Sequence, residues 1–294
     1  PPHFFPTQTG GSLDTTTGAP RARSFMKRGF YTIMAAQFCS SLADNALFVA
    51  AVELLKADGA PGWQGATLVP MFALFYVALA PWVGAFADSQ PKGRVMFISN
   101  AIKIVGCGMM FFHVHPLFAY AIVGLGAAAY SPAKYGILTE LLPPDRLVAA
   151  NGWIEGLTVG AIILGVVVGG TLIQPGLAAR LLSPDLPFIK LGIDSMSEIA
   201  IAITCFFYLL ATLFNLYIPD TGVEHKKLHK NPLYLFQEFN RCMILLWRDR
   251  LGQVSLAVTT LFWGAGATLQ FIVIKWAEAA LHLNLSKSSM LQGV

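Results

Sequence analysis

Seven stretches of about twenty predominantly apolar residues limit what this chain can fold into. They run approximately over 29–55, 64–87, 94–114, 116–142, 149–174, 197–218 and 253–277, and an eighth opens near Ser288. A run of this length, coiled as a helix, crosses a hydrocarbon core of ~30 Å. Only helices and closed barrels satisfy the backbone there, and runs this long and continuous read as helices. The expected fold is therefore an all-α, polytopic membrane protein with about seven and a half spans. The charge content agrees: Asp, Glu, Lys and Arg make up 12% of 294 residues, about half of the ~25% usual in soluble domains. A hydrophobic fraction of 55% excludes disorder for the bulk of the chain, and four Cys exclude a disulfide scaffold. Cys39, Cys107 and Cys205 lie inside apolar runs, and Cys242 lies in an amphipathic stretch. They read as small buried hydrophobes without metal-ligand spacing, so neither a metal nor a cofactor is expected.

The basic residues occur in short stretches between the apolar runs, a distribution that speaks for topology signals and against a nucleic-acid-binding face. Arg21, Arg23, Lys27 and Arg28 precede the first span; Lys92 and Arg94 follow the second; Arg146 follows the fourth; and Lys226, Lys227, Lys230, Arg241, Arg248 and Arg250 follow the sixth. Only Lys56, Arg180 and Lys190 fall on the other side. Thirteen against three in strict alternation puts the N-terminus in the cytoplasm. Residues 1–25, rich in Pro, Gly and Thr, read as a disordered extension, with Met26 a candidate start. Residues 26–219 then form a six-helix bundle, 220–252 a cytoplasmic linker, and 253–294 the start of a second, incomplete bundle, which makes the chain read as a fragment. Within the linker Leu235, Phe239, Met243 and Leu246 recur at helical spacing, as in an amphipathic helix on the membrane surface.

Ionisable groups within a span cost roughly 2.5–3.5 kcal/mol each at mid-bilayer on insertion scales, so four of them need a reason. Asp44 lies in span one with no basic neighbour in ADNAL, Lys103 in span three, Lys134 in span four and Glu155 in span five. Asp44 falls beyond the midplane toward the periplasmic side. Lys134 and Glu155 lie nearer the cytoplasmic ends of their helices, where they are expected to pair across the bundle. Lys103 is close enough to an end to snorkel. Pro132, one turn from Lys134, is expected to break span four and free backbone carbonyls. The glycines of span five, among them Gly156, Gly160, Gly165 and Gly169, have the small-xxx-small spacing of close helix packing.

These residues carry a resemblance. Six spans, a cytoplasmic linker and further spans follow the 6+6 plan of major facilitator transporters. The loop GAFADSQPKGRV, with Gly84, Asp88, Gly93 and Arg94, resembles their G-x-x-x-D-(R/K)-x-G-(R/K) gating loop, two residues longer between Asp88 and Gly93. ADNAL, KGRVM, GAAAYSPAKYGIL, ANG-x-x-E and LFWGAG resemble the bacterial lysophospholipid transporters of that superfamily from about Met26 onward. The resemblance implies carriage of lysophosphatidylethanolamine-type lipids across the inner membrane, among membrane lipids, with an acyltransferase on the cytoplasmic side remaking the diacyl lipid. It implies substrate or translocation roles for Asp44, Asn45, Lys134, Glu155 and Gln270. The family pattern has Arg shortly after WGAG, where this chain has Gln270 at a depth matching that of Asp44. Asp44 would meet an ammonium and Lys134 a phosphate.

Two other readings compete. A drug or metabolite antiporter of the same superfamily would use Asp44 and Glu155 as proton sites. A membrane-embedded acyltransferase would need its own chemistry, yet the chain has no H-x-x-x-x-D pair, no G-x-S-x-G elbow and no Walker loop. A transporter, not an enzyme, is expected.

Overall fold

A computed structural model describes residues 19–174, 195–225, 228–229 and 231–291. The expected loop over 174–195 therefore lies almost wholly outside the described residues, as do Lys226, Lys227 and Lys230 of the linker and residues 1–18 of the N-terminal extension. The described residues are mostly helical, and the helices are joined by short turns except for the longer segment between Leu216 and Pro232. In chain order the helices are α1 (Ala19–Ala57), α2 (Gly62–Ala78), α3 (Ala80–Asp88), α4 (Lys92–Phe111), α5 (Pro116–Leu141), α6 (Pro144–Leu172), α7 (Met196–Leu216), α8 (Pro232–Arg248), α9 (Arg250–Ala280) and α10 (Leu285–Leu291). Helix α1 thus begins at Ala19, inside the stretch read as an extension.

Six of these helices are long and apolar enough to cross a membrane, and the bent pair α2–α3 makes a seventh span. The seven apolar runs map onto them one to one. The break falls where the sequence did not point. Helix α5 runs unbroken through Pro132, because a proline removes one ladder bond and a packed span can absorb that loss. Span two instead bends by 64° between α2 and α3, with Pro70 inside α2 and Pro81 in the first turn of α3.

The bundle is built by α4 on α5, by α1 on both α6 and α7, by α2 on α5 and by α4 on α7. Glycines let backbones touch at several of these crossings. A Cβ on Gly165 of α6 would lie 2.5 Å from the Leu42 carbonyl oxygen of α1, and one on Gly169 would lie 2.9 Å from that of Ala46. A Cβ on Gly124 of α5 would overlap the Phe72 carbonyl of α2. The small-residue stripe of span five is thus split in function, since Gly156 and Gly160 have nothing within 4 Å.

Apart from its junction with the linker helix α8, the second bundle's first helix, α9, touches the rest of the described residues near its end. Ile274 and Ala277 are buried, Lys56 of α1 pairs with Glu278, and α10 packs against α6. From Leu251 to Trp263 most of its large side chains are exposed. The linker helix α8 docks on α3 through its first turns, where Trp82 Nε1 donates to the Pro232 carbonyl at 3.1 Å and Leu235 is buried. Met243 and Leu246, expected on the same apolar face, are exposed.

Candidate functional site

Helix α1 carries a polar stripe through an otherwise apolar span: Gln37, Ser40, Ser41, Asp44 and Asn45 fall three or four residues apart, on one side of the helix. Helix α4 sets Asn100 and Lys103 against it. Lys103 Nζ lies 2.7 Å from Asp44 Oδ2 and donates to Ser40 Oγ at 2.9 Å. That hydroxyl in turn donates to Asn100 Oδ1 at 2.8 Å. From α7 the Tyr208 hydroxyl donates to Asp44 Oδ1 at 2.7 Å, and from α5 the Tyr120 hydroxyl reaches the Asp44 backbone carbonyl at 3.3 Å. The Lys103 ammonium also sits 5.4 Å and 5.7 Å from the ring centroids of Tyr130 and Tyr208, within range of a cation–π attraction. Both carboxylate oxygens and the ammonium are satisfied from four helices.

Two sequence expectations are corrected here. Lys103 does not snorkel: it is 2% exposed and turned inward, because a carboxylate in hydrogen-bond range outweighs a long reach to water inside a packed bundle. Asp44 does have a basic partner, supplied by a residue 59 positions away instead of by its own helix.

The second cluster lies on α5 and α6. Lys134 is 6% exposed, and its Nζ sits 4.3 Å from the Tyr135 ring centroid. The Tyr135 hydroxyl donates to Glu155 Oε1. The expected Lys134–Glu155 ion pair is not formed, since Tyr135 occupies the carboxylate. Among the described residues no carboxylate lies within salt-bridge distance of Lys134. An ammonium has three protons to donate, and here a tyrosine face is what it meets.

Asn45 is placed differently from Asp44. Its Nδ2 donates to the Ser41 carbonyl of its own helix at 2.9 Å, and its Cβ is the neighbour that a side chain at Gly165 would strike, at 2.9 Å. A further polar tie between the same helices comes from buried Gln37, whose Nε2 donates to Ser41 Oγ and Thr158 Oγ1, each at 2.9 Å. Gln270 lies in α9, and its side chain lies outside the described residues.

The residues of the expected gating loop gather at the other end of the bundle. Asp88 closes α3 and accepts from Lys92 Nζ, which also donates to the Ala87 carbonyl at 2.9 Å. Lys92 is buried, so it, rather than exposed Arg94, locks the α3–α4 turn. A Cβ on Gly93 would lie 3.1 Å from Ile218, which seats α4 against the segment after α7, whereas Gly84 has open space around it. Among the described residues no group of three or more His, Cys, Asp or Glu is placed to hold a metal ion.

Sequence reasoning missed Lys103 as a site residue, together with Ser40, Asn100 and Tyr208. The α1 stripe is the signal that finds the first two elements: polar residues at helical spacing within an apolar run require a polar facing helix.

Comparison with known proteins places this geometry. A lysophospholipid transporter of Serratia proteamaculans is 38% identical over 264 residues, covering 90% of this chain and 61% of that protein. One from Yersinia enterocolitica is 38% identical over 261 residues, covering 89% and 60%, and one from an Enterobacter strain is 40% identical over 262 residues, covering 88% and 60%. The chain thus spans about three fifths of the length of these relatives. In fold it is similar to the crystal structure of a bacterial homologue of the human lysosomal transporter Spinster, inward-facing and unoccupied. That likeness has a TM-score of 0.65 at 17% identity, over 94% of this chain and 60% of the other. The sequence pattern of the Major Facilitator Superfamily matches residues 33–294, from within α1 onward and across both charged clusters, and the chain belongs to that superfamily.

Proposed function

We propose that this chain forms the first bundle and the opening of the second in a lysophospholipid transporter of the bacterial inner membrane, moving lysophosphatidylethanolamine-type lipids by alternating access. The observation that carries the reading is the state of Lys134, a buried cation over a tyrosine ring with no carboxylate within salt-bridge distance among the described residues. A phosphate oxygen completes such an ammonium with charge-assisted hydrogen bonds. Glu155, one residue removed through Tyr135, offers a carboxylate to the ammonium of the same headgroup. The acyl chain can stay against apolar helix faces. The similarity to proteins named as lysophospholipid transporters supports the same substrate class.

In this reading Asp44 holds Lys103 in the conformation described, and a substrate ammonium reaching Asp44 displaces that cation. Gln270, on the first helix of the second bundle, serves the same pathway in this reading, with hydrogen bonds and no charge. The loop of Gly84, Asp88, Gly93 and Arg94 serves as the gate at the cytoplasmic end, the orientation that thirteen basic residues against three support. A cytoplasmic-side acyltransferase then consumes the delivered lysolipid.

The test is uptake of labelled lysophosphatidylethanolamine by spheroplasts lacking their own transporter and expressing the full-length gene. Lys134→Ala is expected to abolish uptake at an unchanged membrane level, and Asp44→Asn to abolish it with a lower membrane level, because it leaves buried Lys103 without its counter-ion. Full uptake by Lys134→Ala sinks the phosphate role. No uptake by a well-expressed wild type overturns the lipid assignment in favour of drug or metabolite proton antiport.

A further inference from the structure

At the end of the bundle opposite the Lys56–Glu278 pair, a cavity of about 370 Å³ opens between the start of α4, the end of α5 and the segment that follows α7. It is lined by Lys92, Arg94, Glu140, Asn215, Asp220 and Thr221, along with apolar neighbours. Three features of this cavity are unused by the fold. First, Asn215 is 2% exposed, and neither its Nδ2 nor its Oδ1 has a hydrogen-bond partner. A buried amide left this way costs roughly 1–3 kcal/mol. Second, the 20-residue helix α4 starts behind Pro91 in the cavity wall with no side-chain cap; the Arg94 amide bonds the Pro91 carbonyl, and the Lys92 and Gly93 amides and the positive end of the helix dipole are at the cavity. Third, the Arg94 guanidinium is exposed and has no ion pair among the described residues.

The carboxylates in the same wall are held in place. Glu140 Oε2 accepts from Thr221 Oγ1 at 2.6 Å, and Asp220 Oδ1 accepts from the Gly222 amide at 3.1 Å. Each carboxylate keeps its second oxygen for another donor. The cavity therefore has an anion-seeking side, made by Arg94, the α4 N-terminus and the Asn215 amide hydrogens, and a cation-seeking side, made by Glu140 and Asp220. A single water would satisfy the Asn215 amide, but the volume is an order of magnitude above the ~30 Å³ that one water occupies.

We infer that this cavity is a second binding site, separate from the Asp44 and Lys134 clusters, that takes a zwitterionic phosphate headgroup with its phosphate toward Arg94 and Asn215 and its ammonium toward Glu140 and Asp220. Two lipids carry that chemistry: a diacyl phospholipid of the surrounding bilayer and a monoacyl one delivered through the protein. The site is argued from its own residues, and binding is read without transport, so its failure and that of the transport reading are separable.

The experiment is lipid retention and lipid-induced thermal stabilisation of the purified full-length protein in detergent. The probes are palmitoyl-oleoyl phosphatidylethanolamine, palmitoyl lysophosphatidylethanolamine and palmitoyl-oleoyl phosphatidylglycerol. Wild type is expected to retain an ethanolamine lipid at least tenfold better than Arg94→Gln, the loss of one charge-assisted contact. Asn215→Leu is expected to melt at the same or a higher temperature without lipid, because it removes an unsatisfied amide, yet to lose the stabilisation by lipid. Lys134→Ala keeps this binding even where uptake is lost. Retention of both ethanolamine lipids assigns the site to bilayer lipid, and retention of the monoacyl form alone assigns it to the delivered one. Equal stabilisation of wild type, Arg94→Gln and Asn215→Leu overturns the site. Phosphatidylglycerol binding as well as the ethanolamine lipids, with Glu140→Gln without effect, overturns its zwitterionic character.

Discussion

Lys103 and Lys134 are both lysines buried in membrane spans of one bundle, and their surroundings are opposite. Lys103 faces the Asp44 carboxylate, the Ser40 hydroxyl and two tyrosine rings contributed by three other helices. Lys134 faces one tyrosine ring from its own helix, and the nearest acid, Glu155, is taken by that tyrosine's hydroxyl. The first arrangement is closed: every charge has its counter-charge, and its effect is to pin α1, α4 and α7 together. The second is open: among the described residues no carboxylate lies within salt-bridge distance of the ammonium. A buried ion is therefore no indication of function by itself; what matters is whether its protons and lone pairs are already spoken for.

One substitution applied at both sites tests this contrast. Lys103→Met keeps the apolar stem but leaves Asp44 without its counter-ion, and the expected loss is about 3–5 kcal/mol, the range for breaking a buried pair. It is read as a large fall in melting temperature and membrane level. The double variant Asp44→Asn with Lys103→Met is expected to recover most of that loss, and a double as unstable as the single breaks the account of a closed pair. Next in size, Tyr208→Phe removes one hydrogen bond to the Asp44 carboxylate and is expected to cost about 1.5–3 kcal/mol in thermal unfolding. Smaller still, Glu278→Gln removes a partly exposed ion pair with Lys56 and is expected to cost at most about 1 kcal/mol. The smallest effect on stability belongs to Lys134→Met, which takes away a buried charge without a salt bridge among the described residues and leaves the melting temperature unchanged or higher. A fall comparable to that of Lys103→Met would show that Lys134 is structural after all.

The spans themselves were legible because length and apolarity suffice to define a membrane helix, and all seven runs became helices or a bent pair. The bend was not, since Pro70, Pro81 and Pro132 look alike in sequence, and which one breaks a span depends on the helices packed around it. Asp44 stood out in the sequence as a charge needing a reason, but its partner did not, because ADNAL contains no base and the pairing depends on how α1 meets α4. The stripe Gln37, Ser40, Ser41, Asp44 together with Asn100 and Lys103 on the facing helix was written in the sequence at helical spacing, and a search for polar faces rather than isolated charges finds it. Tyr135 between Lys134 and Glu155 could not be read that way. Adjacent residues on a helix point about 100° apart, and only the crossing of α5 with α6 decides which of the two reaches the acid.

The attachment of α9 has a mechanical meaning. With 31 residues the helix is about 46 Å long, and it is fastened near one end, by Ile274, Ala277 and the Lys56–Glu278 pair. A rod clamped so near its tip works as a lever. Tilting it by ~10° about that clamp carries the far end, ~39 Å away, and the linker helix joined to it through ~7 Å, while the fastened turns shift by little more than a bond length. A weak surface pair at the pivot is enough to hold the resting angle, and modest enough to yield when the rod swings.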